Sequence, residues 1–227
     1  MNLQKTLALG TTVIAASMAT PAFSYQSGDF IARAGWARVM PDSDNQEFSN
    51  VPGAEAHVDD ADSLGLTFSY LITDNIGIGL LGAYPFKVDI DGRGTINSQG
   101  KVADVKALPP TLTMQYHFNT GPRLHPYVGA GVNYTFFYDE DTGQADGIFK
   151  DSNLDLENSW GLAGELGLDY EVNDDFLVSA QVWYIQMDTT ARSRNVAALG
   201  AGAAAGAGNA DVDINPWVFM LGVGKKF

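Results

Sequence analysis

The sequence predicts an all-β protein, an eight-stranded antiparallel barrel that crosses a membrane, and three observations predict it. Eight segments alternate in character with a period of two, the period of a strand. The connections between them alternate short and long without exception, the pattern of an outer-membrane barrel with tight periplasmic turns and four long extracellular loops. Aromatic residues fall at both ends of the segments, where amphipathic rings favour the membrane interface.

The chain opens with export chemistry. Lys5 supplies a positive start, Thr6 to Thr20 is apolar and small, and Ala22-Phe23-Ser24 forms a cleavage site. Residues 1–24 are therefore expected to be a signal peptide, and residues 25–227 the barrel. No later run of about 18 apolar residues could form a membrane helix.

The segments follow in order. Phe30 to Val39 places Phe30, Ala32, Ala34 and Trp36 on one face; Leu64 to Ile72 places Leu64, Leu66, Phe68 and Tyr70. Ile76 to Phe86 presents Ile76, Ile78, Leu80 and Tyr84, and Thr111 to Phe118 presents Leu112, Met114, Tyr116 and Phe118. Tyr127 to Tyr138 presents Val128, Ala130, Val132, Tyr134 and Phe136. Trp160 to Val172 presents Trp160, Leu162, Leu166, Leu168 and Tyr170, and Phe176 to Met187 presents Phe176, Val178, Ala180, Val182 and Tyr184. The closing strand, Trp217 to Phe227, alternates Trp217, Phe219, Leu221, Val223, Lys225 and Phe227 against smaller residues. Each is close to the ~9–11 residues that a tilted strand needs to cross a bilayer.

Thr73 to Asn75, Asn119 to Arg123 and Asn173 to Asp175 are the short turns. Pro41 to Ser63, Asp89 to Pro110, Asp139 to Ser159 and Asp188 to Pro216 are expected to be long loops, with a short helix possible over Asn153 to Asn158. The net charge of −14 resides largely in those loops, which argues against nucleic-acid binding. There is no Cys, so neither a disulfide nor a thiolate metal site is available. A soluble lipocalin-like barrel is the structural rival, but its apolar residues would face inward and it would not need two aromatic girdles.

The residues between the lipid-facing ones decide function, because an eight-stranded barrel has room only for side chains or one slim ligand. Near the outer end these are Val39, Leu81, Phe137, Trp183, Ile185, Val218 and Met220. Near the periplasmic end they are Arg33, Ser69, Gln115, His117, Glu165, Asp169 and Ser179, with Ile31 and Leu71 as apolar exceptions. The lumen is thus expected to be apolar above and polar below. Arg33 facing Glu165 or Asp169 would form a buried ion network, viable only if the charges pair and hydrogen-bond. That floor either blocks the base or simply fills the barrel. Pro85 lacks a ladder donor, so it marks a strand end, a bulge or an opening in the wall.

Catalysis is not expected. His57, His117 and His125 lie apart in the sequence, no Ser-x-x-x-His pair sits on the lipid-facing side, and no His/Asp/Glu cluster has metal-ligand spacing. No cofactor is implied.

Several stretches carry a family resemblance: Leu108-Pro109-Pro110-Thr111-Leu112, the block Arg123 to Thr135 with its Pro-Tyr-Val-Gly-Ala-Gly core, Thr73 to Gly77, Ser159-Trp160-Gly161, Val182-Trp183-Tyr184 and Trp217 to Met220. On these the chain resembles the OmpW family of outer-membrane proteins over essentially all of its mature length. It departs at Lys225, where the family tends to have an aromatic, and in the Ala/Gly run from Ala197 to Ala210. The resemblance implies a hydrophobic channel for small apolar molecules in the outer membrane of a Gram-negative bacterium, and includes alkane-uptake proteins. It assigns Leu81 and Trp183 to a hydrophobic gate. Expected partners are outer-membrane lipid and lipopolysaccharide, small hydrophobic solutes, and the barrel assembly machinery through the strand ending at Phe227. An apolar solute would bind the upper lumen, stop at the polar floor and leave sideways near Pro85. The alternative is a structural, adhesive or receptor barrel that touches lipopolysaccharide, phage or host and transports nothing.

Overall fold

The computed structural model describes residues 25–42, 46–47, 54–94, 101–118, 120–141, 153–196 and 206–227. The expected signal peptide lies outside them. In chain order the strands are β1 (Phe30–Met40), β2 (Gln46–Glu47), β3 (Ala54–Val58), β4 (Ala61–Leu71) and β5 (Ile76–Ala83). Next come β6 (Phe86–Gly94), β7 (Lys101–Leu108), β8 (Thr111–His117), β9 (Leu124–Asp141) and β10 (Asn153–Leu156). The last are β11 (Ser159–Glu171), β12 (Phe176–Ile185), β13 (Asp188–Val196), β14 (Gly206–Asp213) and β15 (Trp217–Lys226).

Eight of these close a barrel: β1, β4, β5, β8, β9, β11, β12 and β15, each antiparallel to the next, with β15 returning to β1. Closure removes the unpaired edges that hydrocarbon cannot solvate. Burial alternates along every barrel strand. On β8, Thr111, Thr113, Gln115 and His117 are buried while Leu112, Met114 and Tyr116 are exposed. Polar residues inside and apolar residues outside are the reverse of a soluble barrel, and this excludes the lipocalin-like arrangement.

The girdles follow the strand ends. Phe30, Tyr70, Phe118, Tyr170, Phe176 and Phe227 are exposed at the lower rim, with the short turns. Trp36, Tyr84, Phe136, Trp160 and Trp217 are exposed at the upper rim, and Tyr184 is half-buried 5.1 Å from Trp217. Two of the short turns use one device. The Thr73 hydroxyl accepts the amides of Asn75 and Ile76 at 3.3 and 2.9 Å. The Asn173 side-chain Oδ1 accepts those of Asp175 and Phe176 at 3.1 and 2.9 Å. Short polar side chains thus replace a longer backbone turn.

Where they are described, the expected long loops are largely strand. β6 pairs with β7, β7 with the upper part of β9, and β3 with β6; β10, β13 and β14 form a second sheet. The reason is visible in Phe86 to Asp91, where Phe86, Val88 and Ile90 alternate with Lys87, Asp89 and Asp91. Acids here occupy the wet face of a strand rather than a coil. The segment Asn153 to Asn158 holds no helix: Asn153–Leu156 is strand, paired with Ala191 to Arg194. Pro85 does not lie within the third barrel strand. It sits in the break between β5 and β6. The Ala/Gly run lies outside the described residues up to 205, and β14 covers the rest.

Candidate conduit in the barrel lumen

The upper lumen holds one apolar cluster. Val39, Leu81, Trp183, Ile185, Val218 and Met220 are buried in it, and Phe137 packs against it. Pairing explains their convergence: Trp183 stands opposite Val218, Val218 opposite Val39, and Met220 opposite Ala37, so inward positions of three adjacent strands form one continuous patch. The cluster continues upward through Phe86, Met187 and Ile214, with Val88 packed on it. Phe86 and Met187 end segments expected to be strands but were not read as lumen residues, Val88 lies just past one of them, and Ile214 was missed because its segment was expected to be a loop. The apolar interior therefore rises beyond the girdle between the outer sheets.

Below it the lumen changes character. Arg33 is 2% exposed, and its guanidinium forms a two-pronged pair with Asp169: Nε reaches Oδ1 at 3.0 Å and Nη2 donates to Oδ2. A third bond runs from Nη1 to Ser69 Oγ at 2.8 Å. Of the two acids open to Arg33, Asp169 is its partner. Glu165 is taken instead by Thr113, at 2.7 Å, and by Gln115, at 3.0 Å. Ser179 is buried beside this group, and His117 lies 3.2 Å from the Gln115 amide. These side chains fit because glycines face them. A Cβ at Gly167 would collide with the Tyr127 ring, and one at Gly79 with Gln115.

Tyr25, Tyr127, His125 and Glu171 also form the floor, although the sequence did not single them out. Tyr127 and His125 share the inward parity of β9, a signal that was available. Tyr25 precedes the first strand and carries no period. It is delivered inward by a strap pinned to the neighbouring turn: Ser27 N to Asp74 Oδ1 at 2.9 Å, Ser27 Oγ to the Ile72 carbonyl at 2.7 Å, and Gly28 N to the Leu71 carbonyl at 2.8 Å. Gly28, at φ +95°, makes the bend that L-residues rarely adopt. The Tyr25 hydroxyl donates to Asp169 at 2.7 Å, and its ring stacks on His125 at 4.2 Å. Tyr127 stacks on His117 at 4.7 Å, and Lys226 donates to Glu171 at 2.8 Å. Ile31 and Leu71 join Tyr25 and Leu177 in a small apolar cluster at the base.

The wall has one further feature. β5 pairs with β8 as far as Leu81 opposite Thr111, and β6 pairs with β7 from Phe86 opposite Ala107. Between them lie Gly82 to Pro85 on one side and Leu108 to Pro110 on the other, where the ladder lapses among the described residues. Pro85, Pro109 and Pro110 bring no amide hydrogen to this stretch. The break is edged inside by Leu81 and Phe86, both members of the apolar cluster, and outside by Tyr84, 72% exposed.

A polar-in, apolar-out barrel of this topology has known counterparts. The sequence model of the OmpW family matches residues 26–227. The chain belongs to the OmpW family. It is 42% identical to outer membrane protein W of Vibrio cholerae over 224 residues, 96% of this chain and 97% of that one. The crystal structure of the outer membrane protein OprG from Pseudomonas aeruginosa superposes with a TM-score of 0.81 at 41% identity, covering 90% of this chain and 98% of the other. A more distant relative, 26% identical over 92% of this chain and 93% of its own length, is the dibenzothiophene metabolism operon protein PahQ of Pseudomonas aeruginosa. As an OmpW-family barrel the protein resides in the outer membrane of a Gram-negative bacterium, in contact with its lipid.

Proposed function

We propose that this OmpW-family barrel is a passive conduit for small hydrophobic molecules, loaded from outside and emptied sideways into the membrane. The observation that carries this reading is the apolar cluster of the upper lumen, which abuts a lapse in the wall and stands on a charged floor. A solute entering between the outer sheets meets Phe86, Val88, Phe137 and Met187 before the gate residues Leu81 and Trp183, with Val39, Ile185, Val218 and Met220 around them. Each contact exchanges water for apolar surface, at roughly 25 cal/mol per Å². Below Trp183 the exchange reverses. Arg33, Gln115, His117, Glu165 and Asp169 are all hydrogen-bonded, and an apolar solute could displace none of them without stranding a buried polar group. The open direction is the lapse at Pro85. The name of PahQ, which ties that relative to the metabolism of an apolar aromatic compound, agrees with this substrate class. No step in this route calls for bond chemistry, a cofactor or a metal.

Uptake of n-octane by whole cells tests the reading. At equal expression, Trp183→Ala should change the rate by removing the gate, and Pro85→Val should slow it by offering β8 a strand partner. Wild-type uptake in both variants would sink the route.

A further inference from the structure

A barrel wall broken at membrane depth raises a physical problem. Backbone groups without partners cost several kcal/mol each in hydrocarbon, which is why membrane barrels close. On the donor side the sequence reduces the problem, since Pro85, Pro109 and Pro110 have no amide hydrogen. The acceptors remain. Pro110 turns its carbonyl to β9, where the Tyr134 amide donates at 3.1 Å. Successive carbonyls of a strand point to opposite neighbours, so the Pro109 carbonyl faces the break.

That carbonyl is met from its own strand. Thr111 Oγ1 donates to it at 3.1 Å. Thr111 Oγ1 in turn accepts from Asn133 Nδ2 at 3.0 Å, and the same amide donates to the Pro110 carbonyl at 3.2 Å. Asn133 Oδ1 accepts from Thr135 Oγ1 at 2.8 Å. The bonds all run one way, from Thr135 through Asn133 and Thr111 to the edge of the break. All three side chains have zero exposure. They face an interior where the neighbouring members, Leu81 and Phe86, are apolar.

We propose that Thr111, Asn133 and Thr135 form a positioning relay that holds the wall open at the two prolines, by supplying from within the barrel the hydrogen bond that the missing strand pairing would have made. The proposal rests on the lateral route described above. The relay fixes the Pro109-Pro110 segment in one place and occupies its carbonyls, so an apolar solute passing the edge meets no free acceptor. Without the Thr111 hydroxyl the Pro109 carbonyl is left in hydrocarbon. It must then recruit water or move toward β5, and either change disturbs a fixed opening.

The chain contains no Cys, so a labelled pair is free of background. Tyr84→Cys and Leu108→Cys flank the break, Tyr84 exposed on the outer face and Leu108 opposite the exposed Phe136. Nitroxide distances between them should be measured in lipid nanodiscs, with heat-modifiable migration confirming the folded barrel. The parent pair and the pair carrying Thr111→Ser should share one narrow distance. With Thr111→Val or Asn133→Leu the parent population should fall roughly tenfold, the worth of one unmet buried acceptor. Thr135→Val, two bonds from the edge, is the milder variant and should fall between. Coincident distributions in all of these would overturn the relay, as would octane uptake that drops while the distances stay put. If the distances move and octane uptake does not, the relay stands and the lateral route fails.

Discussion

The upper and lower halves of the lumen share the same eight strands but are held in different ways. The floor depends on direction: Arg33 reaches two oxygens of Asp169, Tyr25 donates to the same carboxylate, and Glu165 is fixed by Thr113 and Gln115. Away from the break, the upper lumen depends on shape, since Val39, Ile185, Val218 and Met220 make no directed bonds through their side chains; only its edge at Thr111, Asn133 and Thr135 is hydrogen-bonded. A directed network tolerates little change at any one member, whereas packed aliphatic groups and a Met can repack around a guest. The floor is therefore suited to staying shut, and the upper half to yielding.

The sharpest way to break this contrast is to remove half of the floor pair. Asp169→Ala strands the buried Arg33 guanidinium and should cost about 3–5 kcal/mol of stability, measured by urea unfolding of the barrel in lipid vesicles. Arg33→Met combined with Asp169→Leu should recover most of that loss; if it does not, the pair does more than satisfy itself. Next, Gly167→Val forces a side chain against Tyr127, an overpacking change expected to cost about 1–3 kcal/mol in the same assay. Tyr25→Phe removes one bond to a charged acceptor and should cost about 1.5–3 kcal/mol by the same titration, while raising ion leakage in planar bilayers if the strap helps to seal the base.

The smallest effect lies outside the membrane and serves as a control. Asp188 stands directly opposite Asp213 between β13 and β14. Partial burial, and then the like charge of Asp213, push its carboxyl above the usual aspartate range. The folded state therefore holds this proton more tightly than the unfolded chain. The stabilisation is full below the ordinary aspartate pKa of about 3.9 and is lost as pH rises through the folded value. Hydrogen exchange of the β13–β14 amides should accordingly be slowest in acid, after correction for intrinsic rates. Asp213→Asn should weaken that dependence, leaving the part due to burial, with a gain of about 0.2–1 kcal/mol at neutral pH.

The barrel was legible in the sequence because lipid outside and a narrow lumen inside impose opposite demands on alternate residues. That alternation placed Arg33 and Asp169 on one interior before any distance was known. The outer sheets were less legible: in β6, Lys87, Asp89 and Asp91 alternate with the apolar residues at the density of a loop, and composition masked the period. Tyr25 could not be found by periodicity at all, since a strap outside the strands brings it to the floor. The lapse at Pro85 was visible as a missing donor, but the carbonyl partners that accompany it come from β8 and β9, remote in sequence from Pro85.

The seam between β1 and β15 joins two of the most distant parts of the chain. Arg33 rides on β1, while its partner Asp169 is held on β11. In a sheet that has curled but not shut, the guanidinium would face a bilayer interior without its carboxylate. A sheet that curled without shutting would forgo the ion pair that the finished ring contains.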